Sequence, residues 1–97
     1  MITETRRRFG GFGTRVLEVP GESPPVVLLH GYADSADTWV HVLRGFGEAG
    51  QRAVAVDLPG FGQAGARAPG PLVDQFDTFA RSLLDDMGPA VLGGNSL

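Results

Sequence analysis

The chain contains no cysteine and no lysine; all eight of its basic residues are arginine. Without cysteine there is no disulfide to supplement a small core, and zinc sites built on thiolates are excluded. Without lysine there is neither a P-loop lysine nor a Schiff-base lysine within these residues. Positive charge is also scarce, the net charge being -3, so the basic footprint of a nucleic-acid binder is missing. No run approaches the roughly 18 apolar residues of a membrane span. With 97 residues, one small domain is expected, burying only about 60% of its unfolded surface and therefore marginal in stability. The 42% of hydrophobic residues nevertheless indicates a globular rather than a disordered chain.

One cluster of positive charge does stand out. Thr5-Arg6-Arg7-Arg8-Phe9 resembles the start of a twin-arginine export signal, but Gly10-Gly11-Phe12-Gly13-Thr14-Arg15 follows where such a signal needs an apolar segment. A cytoplasmic location is the expectation.

The patterning reads as a β-hairpin over 2–19, turning at Gly10 to Gly13, then a loop at Pro20-Gly21-Glu22-Ser23. Val26-Val27-Leu28-Leu29 is a continuous run of β-formers, as expected for a strand covered on both faces. Asp34 to Asp37 offers helix caps, and Trp39, Val42, Leu43, Phe46 and Ala49 recur at helical spacing, predicting a helix over 38–49. Gly45 and Gly47 weaken it by about 1 kcal/mol each relative to alanine. A second buried strand spans 52–57. The residues from Gln63 to Pro71 form a Gly/Pro/Ala-rich loop. Leu72, Val73, Phe76, Phe79, Ala80, Leu83, Leu84 and Met87 make a clear helical stripe over 72–87, closed by Gly88-Pro89. Asp85 and Asp86 fall in its last turn, where the helix dipole disfavours acids; they read as solvated. A third buried strand spans 90–93. A hairpin followed by β-α-β-α-β predicts an α/β fold with a mostly parallel sheet and helices on its faces, in one domain without internal repeats.

Three strand ends carry chemistry. Gly94-Asn95-Ser96-Leu97 matches the first four positions of G-x-S-x-G, in which glycines relieve crowding around a serine on a sharp strand-to-helix turn. Alone, Gly-x-Ser also describes an ordinary serine in a turn. The buried strand ending in His30-Gly31-Tyr32 presents backbone N–H groups just beyond its end, where an oxyanion hole takes one of its donors. The next strand runs into Asp57-Leu58-Pro59-Gly60-Phe61-Gly62.

Taken in order, these motifs resemble the α/β-hydrolase family, whose members often read strand-His-Gly-x, helix, strand-Asp-x-x-Gly-x-Gly, helix, strand-Gly-x-Ser-x-Gly. The resemblance covers residues 14–97. It implies a serine hydrolase with Ser96 as nucleophile in an elbow over 94–97, and with the backbone N–H groups of Tyr32 and Leu97 as the oxyanion hole. His30, Gly31 and Gly94 support these positions. The substrate implied is a small molecule bearing an ester, thioester, amide or activated carbon–carbon bond; no cofactor, metal, nucleic acid or membrane is implied. Gly94-Asn95-Ser96-Leu97 with the Asp-x-Pro-Gly-x-Gly stretch is similar to carbon–carbon bond hydrolases of aromatic degradation and to some esterases. A serine at 96 argues against the haloalkane dehalogenase and epoxide hydrolase branches, whose nucleophile is Asp. Tyr32, Trp39 and Phe61 are candidates for the acyl pocket or the core.

In the family's order the triad acid and histidine follow the serine, so the resemblance places both beyond Leu97. His30 reads as a support for its loop, His41 as solvated on its helix, and Asp57 as a fixed turn residue. The chain is thus expected to be the N-terminal half of a hydrolase and, without its base, poorly active alone. The resemblance also implies a strand order of 1-2-4-3-5-6-7-8. That leaves strand 90–93 as an exposed edge, open to self-association or to a complementary chain, and keeps a non-catalytic split or truncated fragment as the alternative. A rival motif, Gly60-Phe61-Gly62-Gln63-Ala64-Gly65, is literally G-x-G-x-x-G, with Asp85 about 20 residues on as a dinucleotide module would require. Against it, Asp57-Leu58-Pro59 intervenes after the strand, and Pro69 and Pro71 stand where a helix N-terminus should meet the pyrophosphate.

Overall fold

A computed structural model describes residues 1–94; Asn95, Ser96 and Leu97 lie outside the described residues. The elements are β1 (Thr3–Phe9), β2 (Phe12–Val19), β3 (Glu22–Leu29), a short 3₁₀ turn (Ala36–Trp39), α1 (Val40–Glu48), β4 (Gln51–Val56), α2 (Leu72–Met87) and β5 (Val91–Gly94). They form one sheet in the order β1-β2-β4-β3-β5. β1 and β4 both run antiparallel to β2, while β3 is parallel to β4 and to β5. Four of the five strands therefore point the same way, and the carboxyl ends of β3, β4 and β5 share one edge of the sheet.

Alternation along the central strands sorts the core into two layers. Val54, Val56 and Val27 face α2, packing with Phe76, Phe79 and Leu83. Ala53, Ala55 and Leu28 face the other side, with Leu43 of α1 and Ala36. Gly47 is explained here, because a Cβ on it would come within 3.3 Å of the Val19 side chain. α2 lies across β1 through an edge-to-face contact of Phe9 with Phe79, ring centroids 5.8 Å apart, and through Gly10 N–H donating to Ser82 Oγ at 2.8 Å.

The structure departs from the sequence expectations at several points. The hairpin turn is tighter than expected. Gly10 and Gly11 alone make it, at φ of 59° and 84°, the two positive values that a type I′ turn requires. β3 begins at Glu22 rather than Val26: Glu22 pairs with Gln51, and the register shifts before Val26. Pro24 and Pro25 cannot donate to the ladder; instead the Gln51 side chain donates to the carbonyls of Glu22 and Pro24, at 3.0 and 2.7 Å. The expected helix over 38–49 opens with the 3₁₀ turn, capped by Ser35 Oγ, which accepts from Asp37 N–H at 3.2 Å. β5 is not buried. Val91 and Leu92 are each 54% exposed, because only β3 flanks the strand. Asp86 is not simply solvated but bridges Arg7 at 2.7 Å, an exposed pair contributing at most about 1 kcal/mol.

Candidate active site

β3 and β5 are hydrogen-bonded neighbours whose last paired residues are Leu29 and Gly94. The His30-Gly31-Tyr32 segment therefore leaves the sheet beside the end of β5. The approach is close: a Cβ on Gly94 would lie 3.1 Å from the Leu29 carbonyl oxygen. Next to this edge is a cleft of about 500 Å³, lined by Leu29, His30 and Leu58 below, Phe76 and Asp77 of α2, and Gly94. Its volume lies within the usual range for small-molecule sites, roughly 300–1,000 Å³.

His30 is fully buried and works as a latch between strand ends. Leu58 N–H donates to its Nε2 at 2.9 Å. A backbone N–H can only donate, so the ring proton resides on Nδ1, which donates to the Gly31 carbonyl at 2.7 Å. Both ring nitrogens are thus engaged. The ring also meets Phe61 edge-on, centroids 6.0 Å apart. Beyond it, Asp34 N–H returns to the Gly31 carbonyl at 3.2 Å. Inside that turn Ala33 stands at φ 59°, a conformation that costs a side-chain-bearing residue about 1 kcal/mol or more.

Asp57, at the end of β4, is the second organiser. Its carboxylate is wholly buried, and four N–H groups converge on it. Arg15 Nε (3.0 Å) and Gln63 N (2.9 Å) donate to Oδ2; Arg15 Nη2 (3.4 Å) and Ala36 N (2.7 Å) donate to Oδ1. Burial pushes the carboxyl up, but the Ala36 and Gln63 amides and the Arg15 guanidinium outweigh it and hold the group below the usual carboxylate range. Arg15 is itself 4% exposed and also reaches Asp37 at 3.1 Å and Glu4 at 3.8 Å. Burial lowers its basicity, and the bonds to Asp57 and Asp37 more than restore it. One carboxylate therefore ties β2, the 3₁₀ turn and the loop after β4 together.

The alpha/beta hydrolase fold profile matches residues 24–95, most of the chain. The chain belongs to the α/β-hydrolase fold family. Among its relatives within that family, the putative protein-lysine deacylase ABHD14B of Homo sapiens is 40% identical over 78 residues, covering 74% of this chain and 37% of the relative. The esterase Rv0045c of Mycobacterium tuberculosis is 44% identical over 50 residues, covering 52% of this chain and 16% of the relative. Among solved structures, the epoxide hydrolase VrEH1 from Vigna radiata superposes with a TM-score of 0.85 at 28% identity, over 98% of this chain and 32% of that one. The chain thus spans between 16% and 37% of the length of these relatives.

Within this α/β-hydrolase frame the motif residues separate as follows. His30 and Gly94 line the cleft, Gly31 follows His30 in the loop after β3, and Ser96 and Leu97 lie outside the described residues. Tyr32 is 60% exposed, its ring packed edge-on against Phe61 at 5.2 Å. None of the three acyl-pocket candidates lines the cleft. Trp39 packs on the α1 side of the sheet, and Phe61 packs against the α2-side core, touching Phe76 edge-on at 6.1 Å. His41 is exposed on α1. No helix follows Gly65, since α2 starts only at Leu72, and the Gly65 N–H is spent on the Gly13 carbonyl at 2.8 Å. Arg15 escaped the sequence reading: in an alternating strand it is indistinguishable from a solvent-facing residue. No helix is long and apolar enough to cross a membrane among the described residues.

Proposed function

We propose that these residues are the nucleophile-bearing portion of a cytoplasmic serine hydrolase acting on an ester, thioester, amide or activated carbon–carbon bond of a small molecule. Ser96 attacks the carbonyl carbon, and the N–H groups of Tyr32 and Leu97 hold the oxyanion. The observation that carries the reading is the β3–β5 register, Leu29 opposite Gly94. It brings the His30–Tyr32 loop and the strand ahead of Ser96 to one edge beside one cleft. The deacylase and esterase named among the relatives support acyl chemistry over epoxide opening, as does a hydroxyl rather than a carboxylate at position 96. Neither histidine suits the role of general base: His30 has both nitrogens engaged, and His41 is exposed on α1. The base and its acid therefore come from outside these 97 residues, and no cofactor is needed.

A general base contributes about 10²- to 10⁴-fold. A fluorophosphonate probe should therefore label the 97-residue chain at least about a hundredfold more slowly than intact serine hydrolases. The residual label should sit on Ser96 and vanish in Ser96→Ala. Full-rate labelling, or label elsewhere, refutes the assignment.

One observation favours a second reading, a half-sheet completed by another chain. The β1 edge is guarded by charge, with Glu4, Arg6 and Arg8 all exposed, whereas the β5 edge presents half-exposed Val91 and Leu92. Unguarded apolar edges pair with other strands. Light scattering on the free chain should show self-association, reduced by Leu92→Lys; a monodisperse, cooperatively melting monomer rejects this reading.

A further inference from the structure

β1 carries three consecutive arginines before its last residue, Phe9, and strand alternation sends Arg6 and Arg8 to one face and Arg7 to the other. Arg7 is accounted for by Asp86 and by the Phe9 ring, 5.0 Å from its guanidinium carbon. Arg6 and Arg8 are not: neither makes an ion pair among the described residues. Both are nonetheless held in place by neutral oxygens. Arg6 donates to the Gln63 carbonyl and, at 3.0 Å, to Gln63 Oε1; Arg8 donates to the Gly11 carbonyl. Around them lies a depression of about 360 Å³ between the hairpin and the 63–65 loop, with no carboxylate in its lining.

Two glycines, Gly13 and Gly65, line this depression. Gly13 sits within β2 without a positive φ, so its backbone does not require glycine, and a strand disfavours it. A Cβ there would stand in ordinary contact with Arg8 Nη1, at 3.6 Å, and a larger side chain would reach further across the depression. The backbone of Gly65 also approaches here, its N–H donating to the Gly13 carbonyl at 2.8 Å, and a strand glycine marks such a close approach of a backbone or a ligand. Cross-strand register also sets Arg6 opposite Arg15, and like charges in that position are destabilising. Arg15 is neutralised by Asp57 and Asp37, whereas the charge of Arg6 and Arg8 is uncompensated in a chain of net charge -3.

We infer that Arg6 and Arg8, beside the bare Gly13 and Gly65, form a binding site for the phosphate group of a small phosphomonoester. A carboxylate is satisfied by one guanidinium, whereas a phosphomonoester dianion has three terminal oxygens for the N–H groups that Arg6 and Arg8 do not spend on Gln63 and Gly11. The depression also exceeds what a free ion fills and reaches the lower end of organic-ligand sites, about 300 Å³. It is separate from the cleft at β3 and β5.

The test is a titration of the full chain with phenyl phosphate at fixed ionic strength, read on the arginine Nε–Hε NMR signals. Saturable shifts are expected at Arg6 and Arg8 and not at Arg44 or Arg81. Arg6→Gln and Arg8→Gln should each weaken binding about tenfold. Gly13→Val, which suits a strand, should abolish it while the circular dichroism and melting temperature hold. Inorganic phosphate should bind more weakly; equal affinity would overturn the phosphomonoester assignment in favour of the free ion. Shifts that do not saturate, that spread evenly over the arginines, or that persist in the variants overturn the site.

Discussion

Replacing Asp57 by asparagine is expected to lower the stability of the fold by about 3–5 kcal/mol, the cost of breaking a buried charge pair by removing one partner. At about 0.05–0.15 kcal/mol per residue, 97 folded residues have roughly 5–15 kcal/mol to lose, so the variant gives up a large share of its stability. Each carboxylate oxygen of Asp57 receives two N–H donors. An asparagine turns one of those oxygens into an NH₂ group that faces donors with donors. Removal of Arg15 instead, as Arg15→Met, leaves the carboxylate its two backbone amides, so a smaller loss is expected. Urea titrations should rank the chains wild type, Arg15→Met, Asp57→Asn; a loss under about 1 kcal/mol for Asp57→Asn contradicts the argument. The same bonds set a pH dependence. The folded carboxyl titrates below its unfolded value, so its stabilisation is complete above the ordinary aspartate range, about 3.9, and is lost as pH falls through the lower folded value. The urea midpoint of the wild type should fall in that acid window, and the Asp57→Asn chain should lack that component.

Asp57 also shows where sequence reading reaches and where it stops. Val26–Leu29 and Ala53–Val56 were legible as central strands because cover on both faces leaves no polar alternation. The α2 stripe was legible because sixteen residues repeat one apolar face. Asp57 was legible as a turn-fixing acid, but not its partner, since the pairing of Arg15 with Asp57 spans 42 positions and is created only when β2 inserts beside β4. Pro24 and Pro25 hid the start of β3, because the side chain of Gln51 replaces the missing ladder donors. Aromatic residues near the strand ends suggested an acyl pocket, yet Phe61 and Trp39 pack on opposite sides of the sheet. Which face a loop residue meets is decided by topology rather than by proximity in sequence.

The other large effect is expected at His30. His30→Ala removes a buried ring and strands the Leu58 N–H, which is itself buried. A cavity of aromatic size together with an unsatisfied donor amounts to about 3–5 kcal/mol. The strand ends of β3 and β4 would then separate where the oxyanion donor is proposed to sit. His30→Gln discriminates between a latch and a base. A glutamine can reach with Oε1 to the position of Nε2 and accept from Leu58, so most of the stability should return. A catalytic base behaves in the opposite way: glutamine leaves stability unchanged but removes the proton acceptor, and Ser96 labelling by a fluorophosphonate falls by the full factor of a lost base. Thermal melts and labelling rates measured on the same two variants separate these outcomes. With both nitrogens of His30 committed to Leu58 and Gly31, labelling should follow stability through the series, low in His30→Ala and restored in His30→Gln.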